Sequence, residues 1–252
     1  MAQVPAATRA LRVLRYLAAQ PEPVSVERIA GDLGIPRSTT YHLLQAMAEE
    51  GFVVHLADDR RFGLGVAAFE VGSGYARQAP LQRIARRPLA SLVDRTGHSA
   101  HLAVPHGRDV LYVVEERAPG RPPLVTDVGV RLPSHLTASG RAILAHLPPN
   151  QVRALYPDRE AFVDRTGVGP GSPTALRAVL SETRRRGHAV EDGEVTPGMA
   201  SVAAAVLDHN GLPVAGVAIT YPLDGGRPVD PDQLASAVVD TAAALGRRLH
   251  GR

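Results

Sequence analysis

Hydrogen-bonding side chains crowd one short stretch of the sequence, at residues 37–45. Residues suited to burial recur at i, i+3, i+4 and i+7 from position 40, a spacing that predicts a helix with one buried face. The remaining positions carry Arg37, Ser38, Thr39, Tyr41, His42 and Gln45. Side chains of these types suit the base edges and phosphates of DNA. The alternative interpretation is an ordinary solvated helix face.

Two adjacent arginines, Arg60 and Arg61, lie just beyond an acidic turn. Alternating apolar residues on either side of that turn predict the two strands of a hairpin: Phe52, Val54 and Leu56, then Phe62 and Leu64. Cations at the tip of a hairpin can reach phosphates or the minor groove of DNA.

The segment LTASGRAILA, residues 136–145, has the composition of a capped helix. Thr137 can cap its first turn, which leaves backbone N–H groups around Ala138, Ser139 and Gly140 pointing outward. These donors and the helix dipole favour a small anion, such as a ligand carboxylate. The alternative is a plain capped helix that packs its apolar side chains into the core.

The histidines and serines do not form a recognisable catalytic or metal-binding pattern. His98 and His101 are three apart on a predicted strand, so they point to opposite faces and cannot share a metal. The sequence contains no cysteine and no G-x-S-x-G, P-loop or H-E-x-x-H motif. We therefore expect no catalytic residue, metal or cofactor. The enzyme alternative is a hydrolase built from Ser139, a histidine and an aspartate.

The polar stretch at 37–45 belongs to the third of three predicted helices. The first carries Leu11, Leu14 and Leu17 at helical spacing, and the second is bounded by Ser25 as N-cap and Gly34 as C-terminal stop. Two short helices joined by a tight turn and followed by a hairpin are typical of a winged helix-turn-helix. The second helix of such a pair lies in the major groove.

Beyond residue 80 the predicted helices alternate with antiparallel strand pairs, which indicates an α+β fold. The strands SAHLAVPH and DVLYVVEE meet at a Gly107-Arg108 turn, and a second pair meets at Asn210-Gly211. Helices are predicted at 81–97, 137–148, 174–187 and 231–249, and residues 150–172 are predicted as loop or short helix.

Composition limits the class of protein but names no partner. The 28 basic residues, all arginine, exceed the 25 acidic ones by only three. DNA binding must therefore be argued from where the arginines lie. No apolar run approaches the roughly 20 residues needed to cross a bilayer, and the N-terminus lacks the organisation of a signal peptide. We expect a cytoplasmic protein that does not contact a membrane.

Two blocks of sequence resemble the IclR family of bacterial transcriptional regulators. The first is RALRVLRYLAA…SVERIAGDLGIPRSTTYHLLQAMAEEGFVV…FGLG. The second comprises GVRLPSHLTASGRAILA and GHAVEDGEVTPGMASVAAAVLDHNGLPVAGVAITYP. The blocks have the family's order and spacing and span nearly the whole chain. The resemblance implies a GAF-like C-terminal domain with a mixed or antiparallel sheet, and control of nearby metabolic genes.

The resemblance also implies a domain plan and partners. Residues 1–65 would form the winged helix-turn-helix domain, 66–79 a linker helix, and 80–252 an effector-binding and oligomerisation domain. Because one recognition helix covers only a few base pairs, we expect a homodimer or dimer of dimers on a pseudo-palindromic double-stranded operator. Helix 1 and the segment 66–77 are the expected dimer contacts.

The family pattern places a small organic acid at the start of the helix formed by residues 138–147. Ala138, Ser139 and Gly140 would hold its carboxylate. Ser201 occupies a position that is often cysteine in the family, and either Glu191 or Asp192 occupies an acidic position. The sequence does not decide between these two acids. The alternative function is a DNA-binding protein whose C-terminal domain only oligomerises.

Overall fold

The computed structural model describes residues 4–78, 80–120, 124–224 and 230–250. The chain divides into two units, Met1–Ala79 and Pro80–Arg252, each with its own hydrophobic core. Among the described residues, no helix has the length and apolar character that crossing a membrane would require.

The N-terminal unit consists of four helices and a three-stranded antiparallel sheet of order β1-β3-β2. Its elements are α1 (Pro5–Ala18), β1 (Val24–Ser25), α2 (Val26–Leu33), α3 (Arg37–Glu49), β2 (Val53–Leu56), β3 (Arg61–Leu64) and α4 (Val66–Gln78). The predicted helix-turn-helix and hairpin are confirmed, and the two-residue strand β1 is an addition that was too short to predict.

The turn between α2 and α3 is formed by local signals. Ser25 accepts a hydrogen bond from the Arg28 backbone N–H at 3.4 Å, and Gly34 ends α2 with φ 63°, a left-handed conformation that glycine adopts without steric cost. Both predicted boundaries of α2 are confirmed. Helix α3 begins at Arg37, with Pro36 as its N-cap.

The buried face of the hairpin differs from the predicted one. Val53 is 3% exposed and Phe62 is 5% exposed, whereas Val54 and Leu56 lie on the surface. Phe52 lies in the turn before β2, so the strand starts one residue later than expected. A shift of one residue exchanges the two faces of a strand, so the inward positions expected for Val54, Leu56 and Leu64 are wrong, although Phe52 packs against the core from the turn.

In helix α1, Leu17 is buried and Leu14 packs against the core as their spacing predicts, but Leu11 does not. Val13 and Leu17 are buried against the other helices, while Leu11 is 61% exposed. The predicted inward position of Leu11 is wrong because two residues correspond to about 200° of helix rotation, which places Leu11 and Val13 on opposite sides.

The C-terminal unit places helices on both faces of a six-stranded antiparallel sheet of order β6-β5-β4-β9-β8-β7. Its elements are α5 (Pro80–Thr96), β4 (Ser99–His106), β5 (Asp109–Glu116), β6 (Arg131–Pro133), α6 (Ala138–His146), α7 (Pro149–Leu155), a 3-10 turn (Arg159–Ala161), α8 (Pro173–Arg186), β7 (Ala189–Asp192), β8 (Met199–Leu207), β9 (Pro213–Pro222) and α9 (Pro231–His250). The two predicted strand pairs are confirmed, and β6 and β7 are additional edge strands.

Alternation along the strands separates large apolar residues from small ones. Leu102, Val202 and Val217 belong to the core that α5 and α9 cover. On the opposite face, Ala203 and Ala218 pack against the start of α6. Because alternate residues of a strand point to opposite faces, the small residues leave room for α6 and for a cavity beside it.

Two glycines allow the start of α6 to lie close to its neighbours. A Cβ at Gly216 of β9 would stand 2.9 Å from the Ser139 carbonyl oxygen. A Cβ at Gly140 would stand 2.3 Å from the Ser134 carbonyl oxygen. The first turn of α6 is therefore fixed against the sheet on one side and against the preceding loop on the other.

Candidate functional site

Helix α3 presents a polar face to solvent. Arg37, Ser38, Tyr41, His42 and Gln45 are exposed, and Thr39 is partly exposed. Thr40, Leu44 and Met47 are buried on the opposite side. The structure thus brings all six predicted α3 positions onto one accessible surface, and Tyr41 is 52% exposed although it is a large aromatic residue.

Two contacts fix the first turn of α3. The buried Thr40 hydroxyl donates to the Pro36 carbonyl oxygen at 3.1 Å. Arg37 forms an ion pair with Glu27 of α2. A backbone hydrogen bond lowers the pKa of Glu27, and the Arg37 charge lowers it further, so the pair remains ionised at neutral pH. Arg37 is therefore held at the α2–α3 corner.

The two arginines of the hairpin have different surroundings. Arg60 lies in the turn before β3 with φ 51°, a left-handed conformation that costs a non-glycine residue about 1–2 kcal/mol. The Arg61 guanidinium donates to the Pro23 carbonyl oxygen at 3.4 Å and lies 3.7 Å from a Glu22 carboxylate oxygen. Arg61 thus contacts its own domain, while the exposed Arg60 extends at the hairpin tip.

A cavity lies on the α6 face of the C-terminal sheet. Its empty volume is about 420 Å³ with its open mouth included, but only about 20 Å³ is accessible to the centre of a water molecule. It is lined by His101, Tyr112, Leu124, Val125, Thr126, Thr137, Ala138, Ser139, Glu191, Val195, Thr196, Met199, Ser201, Ala218 and Thr220. The site is narrow in this form, so a ligand larger than one or two waters requires its walls to separate.

The start of α6 supplies donors to this cavity. Thr137 caps the helix as predicted, its hydroxyl accepting from the Gly140 N–H at 3.0 Å. The N–H groups of Ala138 and Ser139 precede the first hydrogen-bonded turn and have no acceptor among the described residues. The Ser139 side chain is 1% exposed, and its buried hydroxyl lies near the Tyr112 hydroxyl without a hydrogen bond of ordinary geometry. Gly140 itself is absent from the lining because it packs on Ser134.

Arg141, which follows Gly140 in α6, is committed to structural contacts. Its side chain is 5% exposed and donates to the carbonyl oxygens of His135 at 2.9 Å and Val190 at 2.7 Å. It also pairs with a Glu194 carboxylate oxygen at 2.8 Å. Arg141 therefore joins α6 to β7 and to the turn that follows β7, and its charge is neutralised beside the cavity.

The structure distinguishes the two candidate acids. Glu191 is 3% exposed and lines the cavity, whereas Asp192 lies at the surface. One Glu191 carboxylate oxygen accepts from the Val195 N–H at 3.0 Å. Burial raises the pKa of Glu191 above its ordinary value because the ionised carboxylate loses solvation, and this effect exceeds that of the hydrogen bond.

Ser201 lies next to Glu191 in the lining. The two residues are paired across β7 and β8, and the Ser201 hydroxyl oxygen lies 3.0 Å from the Thr220 hydroxyl oxygen on β9. Three neighbouring strands thus bring a carboxyl group and two hydroxyls together opposite the α6 start.

The remaining polar lining was missed by the sequence analysis. His101 is fully buried, with Thr126 Oγ1 3.3 Å from its Nδ1 atom and its ring edge-on to Tyr112. Burial lowers the pKa of His101 to about 3, so the imidazole is neutral near pH 7. Burial also raises the pKa of Tyr112, which keeps its hydroxyl protonated. Alternation along β4 was the available signal, since it places His101 on the same face as Ala103.

The N-terminal unit carries an uncovered apolar groove. Its empty volume is about 860 Å³ with its open side included. It is lined by Ala6, Ala7, Ala10, Leu11, Leu14, Leu43, Ala46, Met47, Glu50 and Phe52. Helix α4 adds three exposed apolar side chains, since Val66, Phe69 and Val71 are 72%, 75% and 61% exposed. Exposed apolar surface of this kind marks interaction sites in soluble proteins.

Two family models match the chain. The model described as IclR helix-turn-helix domain matches residues 6–57, and the model described as Bacterial transcriptional regulator IclR C-terminal matches residues 73–247. Together they include the polar face of α3 and the cavity of the C-terminal unit.

Characterised relatives cover nearly the same length. The Glycerol operon regulatory protein of Streptomyces coelicolor is 34% identical over 96% of this chain and 94% of its own. The Transcriptional repressor IclR of Escherichia coli is 30% identical over 88% of this chain and 81% of its own.

Solved structures share the fold. An IclR-type regulator from Alicyclobacillus acidocaldarius superimposes with a TM-score of 0.85 at 23% identity, covering 98% of this chain and all of its own. An IclR homologue from Microbacterium hydrocarbonoxydans, solved in complex with 4-hydroxybenzoate, superimposes with a TM-score of 0.82 at 22% identity and covers 98% of this chain and 100% of its own.

Proposed function

Because the chain belongs to the IclR family of DNA-binding transcriptional regulators, we propose that its affinity for an operator is set by a small organic acid bound at the start of α6. It is a regulator and not an enzyme. The observation that carries the proposal is the buried Ser139 hydroxyl, which makes no hydrogen bond of ordinary geometry and lies beside two free N–H groups in a cavity with an open mouth. A buried unpaired polar group is costly unless a ligand or water satisfies it.

DNA is read by α3 in this proposal. Tyr41, His42 and Gln45 contact base edges, while Arg37 and Ser38 at the helix start, with Thr39 beside them, contact the backbone. Their common exposure on one helix face supports the assignment. Arg60 and Arg61 contact phosphates or the minor groove from the hairpin, so their loss weakens binding to all sequences and reduces its salt dependence.

The acid's carboxylate is held by the N–H groups of Ala138 and Ser139 and by the Ser139 hydroxyl. A second polar group of the ligand, such as a hydroxyl, meets Glu191 and Ser201. The 4-hydroxybenzoate bound by the Microbacterium hydrocarbonoxydans homologue carries these two kinds of group, which supports the assigned ligand class.

The operator-bound form is a homodimer or a dimer of dimers on a pseudo-palindrome. The apolar groove along α1 and the exposed apolar residues of α4 support contacts between two copies of the N-terminal unit. In the domain plan we assign, residues 1–65 bind DNA, 66–79 link, and 80–252 bind the effector and oligomerise.

The proposal is tested with an operator selected from random duplexes by the purified protein. Gel-shift titrations with and without 4-hydroxybenzoate, or another acid found by thermal-shift screening, measure the change in operator affinity, which is expected to be about 5–150-fold. Ser139→Val and Ser201→Ala should lose the response and retain operator binding, whereas Ser236→Ala on the exposed side of α9 should behave as the parent.

Two outcomes would contradict the proposal. If Ser139→Val and Ser201→Ala respond to the acid as the parent does, the effector binds elsewhere. If no acid changes operator affinity, the C-terminal domain only oligomerises. Full operator affinity of a Tyr41→Ala, His42→Ala double variant would show that α3 does not read the DNA, since loss of base-reading side chains should cost about 1–3 kcal/mol each.

A further inference from the structure

The effector cavity contains an unbalanced charge. Among its described lining residues, Glu191 is the one side chain that can be charged near neutral pH. His101 also lines the cavity, but it is neutral because burial lowers its pKa to about 3. A ligand carboxylate and an ionised Glu191 would therefore share one desolvated cavity without a cation between them.

The groups around Glu191 do not remove this conflict. Arg141 of α6 is already paired with Glu194, which lies in the turn after β7 and is itself acidic. Tyr112 of β5 lines the same cavity as a neutral hydroxyl, because burial raises its pKa, whereas Tyr221 of β9 belongs to the core on the opposite face of the sheet. On the neighbouring elements the remaining groups are Ser201 of β8, His101 of β4 and the exposed Asp192 of β7.

The donors of the cavity are sufficient for one anionic group. The free N–H groups of Ala138 and Ser139 at the α6 start can donate hydrogen bonds to one carboxylate. Glu191 is stabilised as an anion by the single Val195 N–H at 3.0 Å and by the Ser201 hydroxyl. Two carboxylates buried in one site do not both ionise, because like charges in a low-dielectric environment repel strongly.

We propose that the cavity holds one negative charge at a time, carried either by Glu191 or by the ligand, so that an organic acid binds together with a proton taken up by Glu191. The inference rests on the proposed function, since it concerns the same cavity and ligand class. Protonated Glu191 then donates a hydrogen bond to the ligand or to a neighbouring hydroxyl. When Glu191 is ionised, the cavity favours a neutral hydroxylated molecule, whose O–H groups donate to the carboxylate.

If a proton binds together with each acid molecule, the apparent affinity for the acid falls as the pH rises. Below the pKa of Glu191 in the free protein, the group is already protonated and acid binding takes up no proton. Above that pKa, each acid molecule binds with one proton, so its apparent affinity falls about tenfold for each further pH unit. The affinity for a neutral hydroxylated ligand does not fall over the same range.

The test uses two pairs of probes that differ in one group: 4-hydroxybenzoate with 4-hydroxybenzyl alcohol, and glycerate with glycerol. Titration calorimetry on the full chain between about pH 5.5 and 8.5 gives the affinities. Repeating each titration in two buffers of different ionisation enthalpy gives the number of protons taken up. Glu191→Gln is the neutral isostere, and Asp192→Asn is the matched control on the neighbouring exposed acid.

For the parent and Asp192→Asn, we expect uptake of close to one proton per acid at the upper end of the pH range. Glu191→Gln should take up none, should bind the acid with a pH-independent affinity, and should bind it about tenfold or more tightly than the parent at the highest pH.

If the acid binds the parent without proton uptake, or if Glu191→Gln takes up the same number of protons, the inference is wrong while the effector site stands. If neither acid binds while an alcohol does, the acid ligand class is wrong. If none of the four binds and none changes operator affinity, the inference and the proposed effector site both fail.

Discussion

Replacing Gly140 by alanine provides a stringent test of how the effector site is built. The added Cβ would lie 2.3 Å from both the Cα and the carbonyl oxygen of Ser134, and 2.7 Å from its carbonyl carbon. All three are backbone atoms, so no side-chain rotation relieves the overlap. The α6 start and the loop before it must separate by about 1 Å to restore an ordinary van der Waals contact.

Two effects of opposite sign determine the stability of Gly140→Ala. Alanine has a higher helix propensity than glycine, which favours the variant by up to about 1 kcal/mol. Overpacking in a buried region costs about 1–3 kcal/mol and more where only the backbone can move. We therefore expect a net loss of about 1–2 kcal/mol in the free energy of unfolding of the C-terminal unit. The same displacement moves the free N–H groups of Ala138 and Ser139, so acid binding should weaken at least tenfold.

Calorimetric unfolding of the full chain measures the first effect, since about 1 kcal/mol shifts the Tm of a unit of this size by about 2–4 °C. Gly31→Ala is the matched control, because Gly31 lies in α2 with no atom within 4 Å of an added Cβ. That control should be neutral or stabilised by up to about 1 kcal/mol. If Gly140→Ala unfolds at or above the parent temperature and binds the acid normally, the close approach to Ser134 does not shape the site.

Three further changes test separate parts of the structure. Leu11→Glu places a charge in the apolar groove and should weaken self-association by about 2 kcal/mol, measured by sedimentation. An unchanged dimerisation constant would show that the interface between copies lies elsewhere. Arg141→Met leaves the partly buried Glu194 unpaired and should cost about 3–5 kcal/mol in urea unfolding. A second change, Glu194→Gln, should recover part of that loss, and a loss below about 1 kcal/mol would contradict the role of the pair. Burial raises the pKa of Glu191 above its ordinary value of 4.5, so the parent loses folding stability as the pH rises from 4.5 through the raised pKa. Glu191→Gln should therefore gain stability relative to the parent with increasing pH, and a constant difference would contradict this.

Much of the secondary structure of this protein could be predicted from local signals in its sequence. Ser25, Gly34 and Thr137 mark helix ends because a cap or a left-handed residue acts within one turn of the chain. The hairpin turns at Gly107 and Asn210 join strands that follow each other directly. The polar face of α3 could be predicted because a helix repeats every 3.6 residues whatever packs against it. Resemblance between blocks of sequence added the family, which single positions could not supply.

Only the tertiary structure decided which polar groups share the cavity. Glu191 and Asp192 are neighbours in sequence, and Glu191 faces inward because β7 pairs with β8 in a register that the chain sets some ten residues later. His101 enters the cavity because β4 lies between β5 and β9, a strand more than 100 residues away. The pairing of Arg141 with Glu194, 53 residues apart, neutralises the cation in the first turn of α6. These outcomes depend on strand register and on long-range packing, which the residues adjacent in sequence do not encode.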